Sequence, residues 1–164
     1  MELIIERAKH ADAEKLVEIY HDAYSENEKL GFPSSASKVG AEEVREWIDN
    51  MLIYIGKEKH TNNIIATIRF KYSEEWQCYV LSRLAVASSY KGKGIATKLM
   101  KYGEYKLSEM GEKRVRLTVA KTHPYLPNLY REKGYEIVEE RLLQDLPYDE
   151  LIMEKLLKQF ARGL

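Results

Sequence analysis

Ser89-Tyr90-Lys91-Gly92-Lys93-Gly94-Ile95-Ala96-Thr97-Lys98-Leu99 stands where an apolar strand pattern, Leu84-Ala85-Val86, gives way to a helix pattern. Glycines at a first helical turn let backbone approach a ligand closely, and the free N–H groups of that turn point at it. A helix start carries partial positive charge. With Lys91 and Lys93 beside it, the stretch suits a phosphate or pyrophosphate. Taken alone, it admits several readings. The dinucleotide fingerprint G-x-G-x-x-G is half met by Gly92 and Gly94, with Thr97 at the third position and no neat βαβ unit around it. The nucleotide loop G-x-x-x-x-G-K-[ST] occurs nowhere in the chain. A plain turn between strand and helix accounts for the glycines equally well.

The rest of the chain frames that segment. Before it, Leu3-Ile4-Ile5 reads as a strand. Leu16, Ile19, Tyr20, Ala23 and Tyr24 recur at helical spacing between residues 11 and 30, with Asp12 placed for a helix start. Residues 31–37 break that helix as a loop, and Val44, Trp47, Ile48 and Met51 mark a second, short helix. Residues 52–56 and 64–70 alternate as two strands joined by a hairpin at 59–63, and a longer strand runs over 77–86. After the glycine segment, Ile95, Leu99, Tyr102, Tyr105 and Met110 define a helix that stops near Gly111. Residues 115–120 alternate again. Pro124 and Pro127 confine any following helix to a turn or two around residues 128–133. Strands at 135–138 and 150–153 flank Leu146-Pro147. The order β-α-α-β-β-β-α-β-α-β-β predicts one α/β layer fold with a mixed sheet over residues 1–164.

Composition narrows the function classes. Of the 164 residues, 26 are basic and 26 acidic, so no global field favours nucleic acid or an anionic membrane. A single cysteine, Cys78, allows neither an internal disulfide nor a cysteine metal cluster, and His10, His21 and His60 show no metal spacing. No metal is therefore expected. The amino terminus lacks the layout of a signal peptide and no apolar run approaches membrane-spanning length, which predicts a cytoplasmic protein.

Two separated motifs then point the same way. Leu84-Ala85-Val86, four residues, and Lys91-x-x-Gly94-x-Ala96 resemble the acyl-CoA-binding motif of the GNAT (GCN5-related N-acetyltransferase) superfamily. That motif is a strand L-A-V followed by [QR]-x-x-G-x-[GA] and an apolar helix; Lys91 departs from the usual glutamine or arginine. Leu129-Tyr130-Arg131-Glu132-Lys133-Gly134-Tyr135 resembles the family's L-Y-x-x-x-G-[FY] segment. The element order also matches the family's layout.

The resemblance implies a fold and a chemistry. The fold is α/β (α+β): a mixed, mostly antiparallel seven-stranded sheet with splayed central strands and about four flanking helices. The chain would be a single acyl-CoA N-acyltransferase domain, acetylating a primary amine of a small molecule or peptide from acetyl-CoA in a direct ternary complex. A non-catalytic acyl-CoA sensor is the alternative. Backbone N–H groups over Lys91, Gly92, Lys93, Gly94, Ile95, Ala96 and Thr97 would cradle the pyrophosphate, and the main chain of Leu84, Ala85 and Val86 would pair with the pantetheine arm. Tyr130 matches the tyrosine that protonates the leaving thiolate. His123, seven residues before Tyr130, stands where the family commonly has an asparagine contacting pantetheine, so it is a candidate for that contact or for the base. Glu75, just before the fourth strand, is a second candidate base, because that strand holds no carboxylate. Cys78 lacks a positioned base and reads as structural. Tyr24, Phe32 and Tyr148 fall in the two regions that bind the acceptor in this fold. Homodimers are common in the family, but no interface is legible in the sequence.

Overall fold

The computed structural model describes residues 2–32, 38–145 and 148–160. Seven strands form one sheet: β1 (Leu3–Arg7), β2 (Leu52–Glu58), β3 (Ile64–Ser73), β4 (Cys78–Val86), β5 (Arg114–Ala120), β6 (Glu136–Arg141) and β7 (Glu150–Leu156). Four α-helices accompany them: α1 (Ala13–Lys29), α2 (Ala41–Asn50), α3 (Ile95–Glu109) and α4 (Leu126–Glu132). The strand order is β1-β2-β3-β4-β5-β7-β6, and every neighbouring pair is antiparallel except β4 and β5.

Period-two alternation distributes the apolar residues between two cores. Strand β2 sends Ile53 and Ile55 to one face and Tyr54 to the other. The first face is covered by Leu16, Ile19 and Tyr20 of α1 and Val44 of α2; the second by Ile95, Leu99, Met100 and Leu107 of α3. Each such buried side chain contributes about 1.5–3 kcal/mol of hydrophobic stabilisation. Helix α3 lies directly on β3 because residue 103 is glycine: a Cβ there would sit 2.3 Å from Cε2 of the fully buried Phe70. The helix ends as its sequence predicts, with Gly111 N–H donating to Ser108 O and Glu112 N–H to Leu107 O, both at 3.0 Å.

The central strands part for two visible reasons. Strands β4 and β5 pair at only two positions, Tyr79 with Val115 and Val80 with Arg116. Further along β4, the register against β3 shifts between Thr67–Ala85 and Arg69–Ser82, so Arg83 and Leu84 together oppose Ile68. Arg83 takes φ 48°, the left-handed conformation of a bulged residue. A bulge adds local twist and turns the end of β4 away from β5.

Several boundaries differ from the sequence expectation. Helix α1 begins at Ala13 rather than residue 11, because His10–Asp12 forms a 3₁₀ turn in which the Asp12 carboxylate accepts the Lys9 N–H at 2.8 Å. Strand β4 begins at Cys78, since Gln77 closes the preceding turn at φ 53°. Strand β7 runs three residues past Met153, held by β5 along its whole length. Of the loop expected over 31–37, Pro33 to Ser37 lie outside the described residues, as do Leu146 and Pro147 between the last two strands.

Candidate active site

Where β4 and β5 separate, a cavity of about 720 Å³ opens, bounded by the two strand ends and by α1, α4 and the turn before α3. Its floor on the β4 side is main chain. Ala87 N–H donates to Ile65 O at 2.8 Å, toward β3. By strand alternation the N–H of Val86 points to the opposite edge, into the cleft. The Leu84 carbonyl faces the same way and accepts the Tyr24 hydroxyl at 3.1 Å.

The glycine segment follows at the mouth of this cleft. Residues Ser88–Tyr90 form a 3₁₀ turn, Gly92 and Gly94 take φ 79° and 76°, and Gly94 is the N-cap of α3. A Cβ at Gly94 would meet nothing within 4 Å, so glycine is required there by conformation and leaves open space in front of the helix start. The first intrahelical bond runs from Lys98 N–H to Gly94 O at 3.2 Å, which leaves the N–H groups of Ile95, Ala96 and Thr97 without helical acceptors. That array can bind an anionic group such as a pyrophosphate. Helix α1 holds the turn in place. Asp22 accepts both the N–H and the hydroxyl of Ser88 at 2.8 Å, and these bonds hold its carboxyl below the usual range. One turn further, Glu26 pairs with Lys91 at 2.6 Å. Lys93 is outside the cavity, its ammonium 5.4 Å from the centre of the Tyr90 ring.

Tyr130 projects into the cavity from α4 and is buried. Desolvation pushes its phenol up to about 12, with Tyr125 adding to the rise, so it stays protonated at neutral pH and can donate. Burial keeps the Tyr24 phenol well above the ordinary tyrosine range, with nearby Tyr130 adding to the rise.

His123 is buried against the same helix. Its Nδ1 faces the N–H groups of Tyr125 at 3.4 Å and Leu126 at 3.2 Å, and so must be the acceptor; Nε2 then carries the proton and donates to Asn27 Oδ1 at 3.3 Å. Burial lowers its affinity for a second proton, with Glu26 opposing that trend. Both ring nitrogens are thus engaged, Nδ1 at the start of α4 and Nε2 on Asn27 of α1, which is a positioning role.

Phe32 and Tyr148 meet the same site. The Phe32 ring lies 5.1 Å from that of His123 and 5.4 Å from that of Tyr148. Glu75 is not brought there. It is exposed on the turn between β3 and β4, at the far end of a nine-residue strand whose length puts it about 27 Å from the glycine turn, and its charge acts on Arg141. The carboxylates that line the cavity are Glu26 and Glu150, and Glu150 is ion-paired with Arg141. Sequence reading passed over Asp22, Arg83 and Glu150. Asp22 had one signal, since it lies four residues from Glu26 on one face of α1. Cys78 is buried, and burial pushes its thiol up, as a packing residue requires.

The fold is shared with known proteins. Residues 13–135 match the acetyltransferase (GNAT) family. The S-alkylcysteine N-acetyltransferase of Bacillus subtilis (strain 168) is 26% identical over 136 residues, covering 79% of this chain and 76% of the relative. Among solved structures, the ribosomal-protein-S18-alanine N-acetyltransferase of Escherichia coli superposes with a TM-score of 0.75 at 17% identity, covering 99% of both chains. The PaiA N-acetyltransferase of Thermoplasma acidophilum, in complex with coenzyme A, gives 0.74 at 20% identity over 95% of this chain and 99% of that one. The chain belongs to the GNAT acetyltransferase family, and with that family it is an acetyl-CoA-dependent N-acyltransferase. Among the described residues no helix is long and apolar enough to cross a membrane.

Proposed function

We propose that the protein transfers an acetyl group to a primary amine of a small molecule or peptide by direct attack in a ternary complex. The observation that carries this reading is the convergence of three features on one cavity: the free N–H array of residues 95–97, the unpaired edge of β4, and the protonated Tyr130. Acetyl-CoA fits these features and supplies the acetyl group as a thioester. Residues 95–97 and the glycines before them bind its pyrophosphate. The N–H of Val86 stabilises charge developing on the acyl oxygen. As the amine nitrogen bonds to the acyl carbon, the C–S bond breaks with its electron pair on sulfur. Tyr130 gives that sulfur a proton and recovers one from solvent. The nitrogen sheds its extra proton to water, since Glu75 is remote and both nitrogens of His123 are occupied.

The acetyltransferase from Bacillus subtilis named for S-alkylcysteine supports an amino-acid-like acceptor, and Phe32 and Tyr148 offer an apolar wall for its side chain. Acetyl-CoA at a hundred times its dissociation constant should stabilise the protein by about 2.7 kcal/mol. A thiol-release assay over a panel of amines then identifies the acceptor. Absence of both the thermal shift and thiol release would refute the proposal.

A further inference from the structure

A buried polar network joins α3, α4 and β7 behind the cavity. Glu104, in the third turn of α3, is only 8% exposed, and both of its carboxylate oxygens are occupied. Oε2 accepts the Tyr135 hydroxyl and Oε1 the Lys155 ammonium of β7, each at 2.8 Å. The same ammonium donates to Lys133 O at 2.8 Å, a carbonyl at the end of α4. Tyr135 is fully buried. Burial first, and Glu104 next, push its phenol far up, so it is the donor in this bond. Residue 134 is glycine at φ 97°, where a Cβ would lie 3.2 Å from Lys155 Cε; glycine admits both the turn and the lysine stem.

Tyr135 in turn grips Tyr130. Its N–H donates to the Tyr130 carbonyl at 3.0 Å, and the two rings meet edge-on with centres 6.0 Å apart at 67°. An apolar pair of the same volume often serves stability as well as a buried ion pair does, whereas the ion pair fixes direction. Neither Glu104, Tyr135 nor Lys155 lines the cavity, so none of them touches what binds there. Resting on the reading of Tyr130 as the proton donor, we propose that Glu104 and Lys155 are positioning residues: through Tyr135 they fix the Tyr130 phenol relative to α3, the helix whose start binds the pyrophosphate. Glu104 stands about 14 Å along the axis from that start. One stiff helix thus holds the donor's pyrophosphate at its first turn and the proton donor of the leaving thiolate from its third.

The test is thiol-release kinetics on the whole protein, with acetyl-CoA and the best amine of the panel. Tyr135→Phe removes one hydroxyl and keeps the ring against Tyr130. Its kcat should fall about tenfold with the KM of acetyl-CoA little changed, a part of the ~10²-fold that a 1 Å misplacement can cost. Glu104→Gln and Lys155→Met should give a similar loss, and Lys155→Arg, which keeps the charge and the donors, should restore part of it. The decisive readout is coupling. In a Tyr130→Phe background each change should alter kcat by less than about twofold, because the group it positions is gone; a loss of packing alone would carry over in full. Retention of the acetyl-CoA thermal shift checks that each variant is folded, and Tyr135→Phe carries the test if the charge variants are not. Losses that add in full to that of Tyr130→Phe, or unchanged kcat in Tyr135→Phe and the charge variants, overturn the proposal and leave Tyr130 as the proton donor. Unchanged turnover in Tyr130→Phe overturns that assignment and the proposal with it. Absence of thiol release to every amine overturns the transfer proposed above and this proposal alike.

Discussion

His123 Nδ1 accepts the N–H of Leu126 at 3.2 Å, so the imidazole caps the helix that carries Tyr130. The bond ties the turn after β5 to the first residue of α4, the helix that carries Tyr130. It also spends the lone pair that a general base would need. Removing it as His123→Ala should cost about 1 kcal/mol, the usual loss of a helix cap, read as a fall in Tm of about 2–4 °C.

The same histidine makes stability depend on pH with a defined sign. Its folded-state affinity for a proton is lowered by burial, so the unfolded chain binds more protons on the acid side. Its contribution is complete above about pH 6.5, the unfolded value, and is lost as pH falls toward and through the lower folded value. Thermal unfolding from pH 8 to pH 5 should show a falling Tm, and His123→Gln should flatten that slope. Activity should behave differently: with His123 engaged, kcat/KM should rise about tenfold per pH unit below the pKa of the acceptor ammonium, without a break near 6.5.

Tyr130→Phe keeps the ring and removes the proton. Turnover should fall by about 10²- to 10⁴-fold, the range for a general acid, while the dissociation constant of acetyl-CoA measured calorimetrically changes little. Because burial pushes the phenol up to about 12, the unaltered enzyme should show no alkaline loss of activity from this group below pH 10. Unchanged turnover in Tyr130→Phe would remove it from the mechanism.

Gly94→Ala should weaken acetyl-CoA binding more than it weakens the fold. A methyl at φ 76° meets no neighbour, so the cost is conformational, about 1–2 kcal/mol, and relief by rotation would disperse the N–H groups of residues 95–97. Gly94→Asn should be milder, since asparagine tolerates that conformation. Paired measurements of Tm and acetyl-CoA affinity distinguish the two effects.

Gly103→Ala should act on stability alone. Its Cβ would fall 2.3 Å from Cε2 and 2.4 Å from Cζ of Phe70, deep in the α3–β3 interface. Overpacking there should cost about 1–3 kcal/mol, and the double change Gly103→Ala with Phe70→Leu should recover part of it. Chemical denaturation of the two variants measures the coupling.

Local information was sufficient for much of this protein. Alternation over residues 52–56 and 115–120, the helical spacing of Ile95 and Leu99, and the stop at Gly111 are properties of short segments, and the elements follow them to within a few residues. The glycine turn and the Leu129–Tyr135 segment were also readable, through their resemblance to family motifs of fixed spacing. Pairing across the fold was not readable. Glu75 and His123 were both candidate bases on sequence, but β4 carries Glu75 away from the cavity and the turn after β5 commits both imidazole nitrogens. Asp22 on Ser88, and Arg69 beside Arg83 over Trp47, join residues 66, 14 and up to 36 positions apart in sequence. A linear pattern records which face of an element is apolar; which charged groups then meet depends on register and on the Arg83 bulge. The glycine motif therefore carried the expectation of a CoA-binding turn, and only the tertiary structure brought Arg69 and Arg83 together over Trp47.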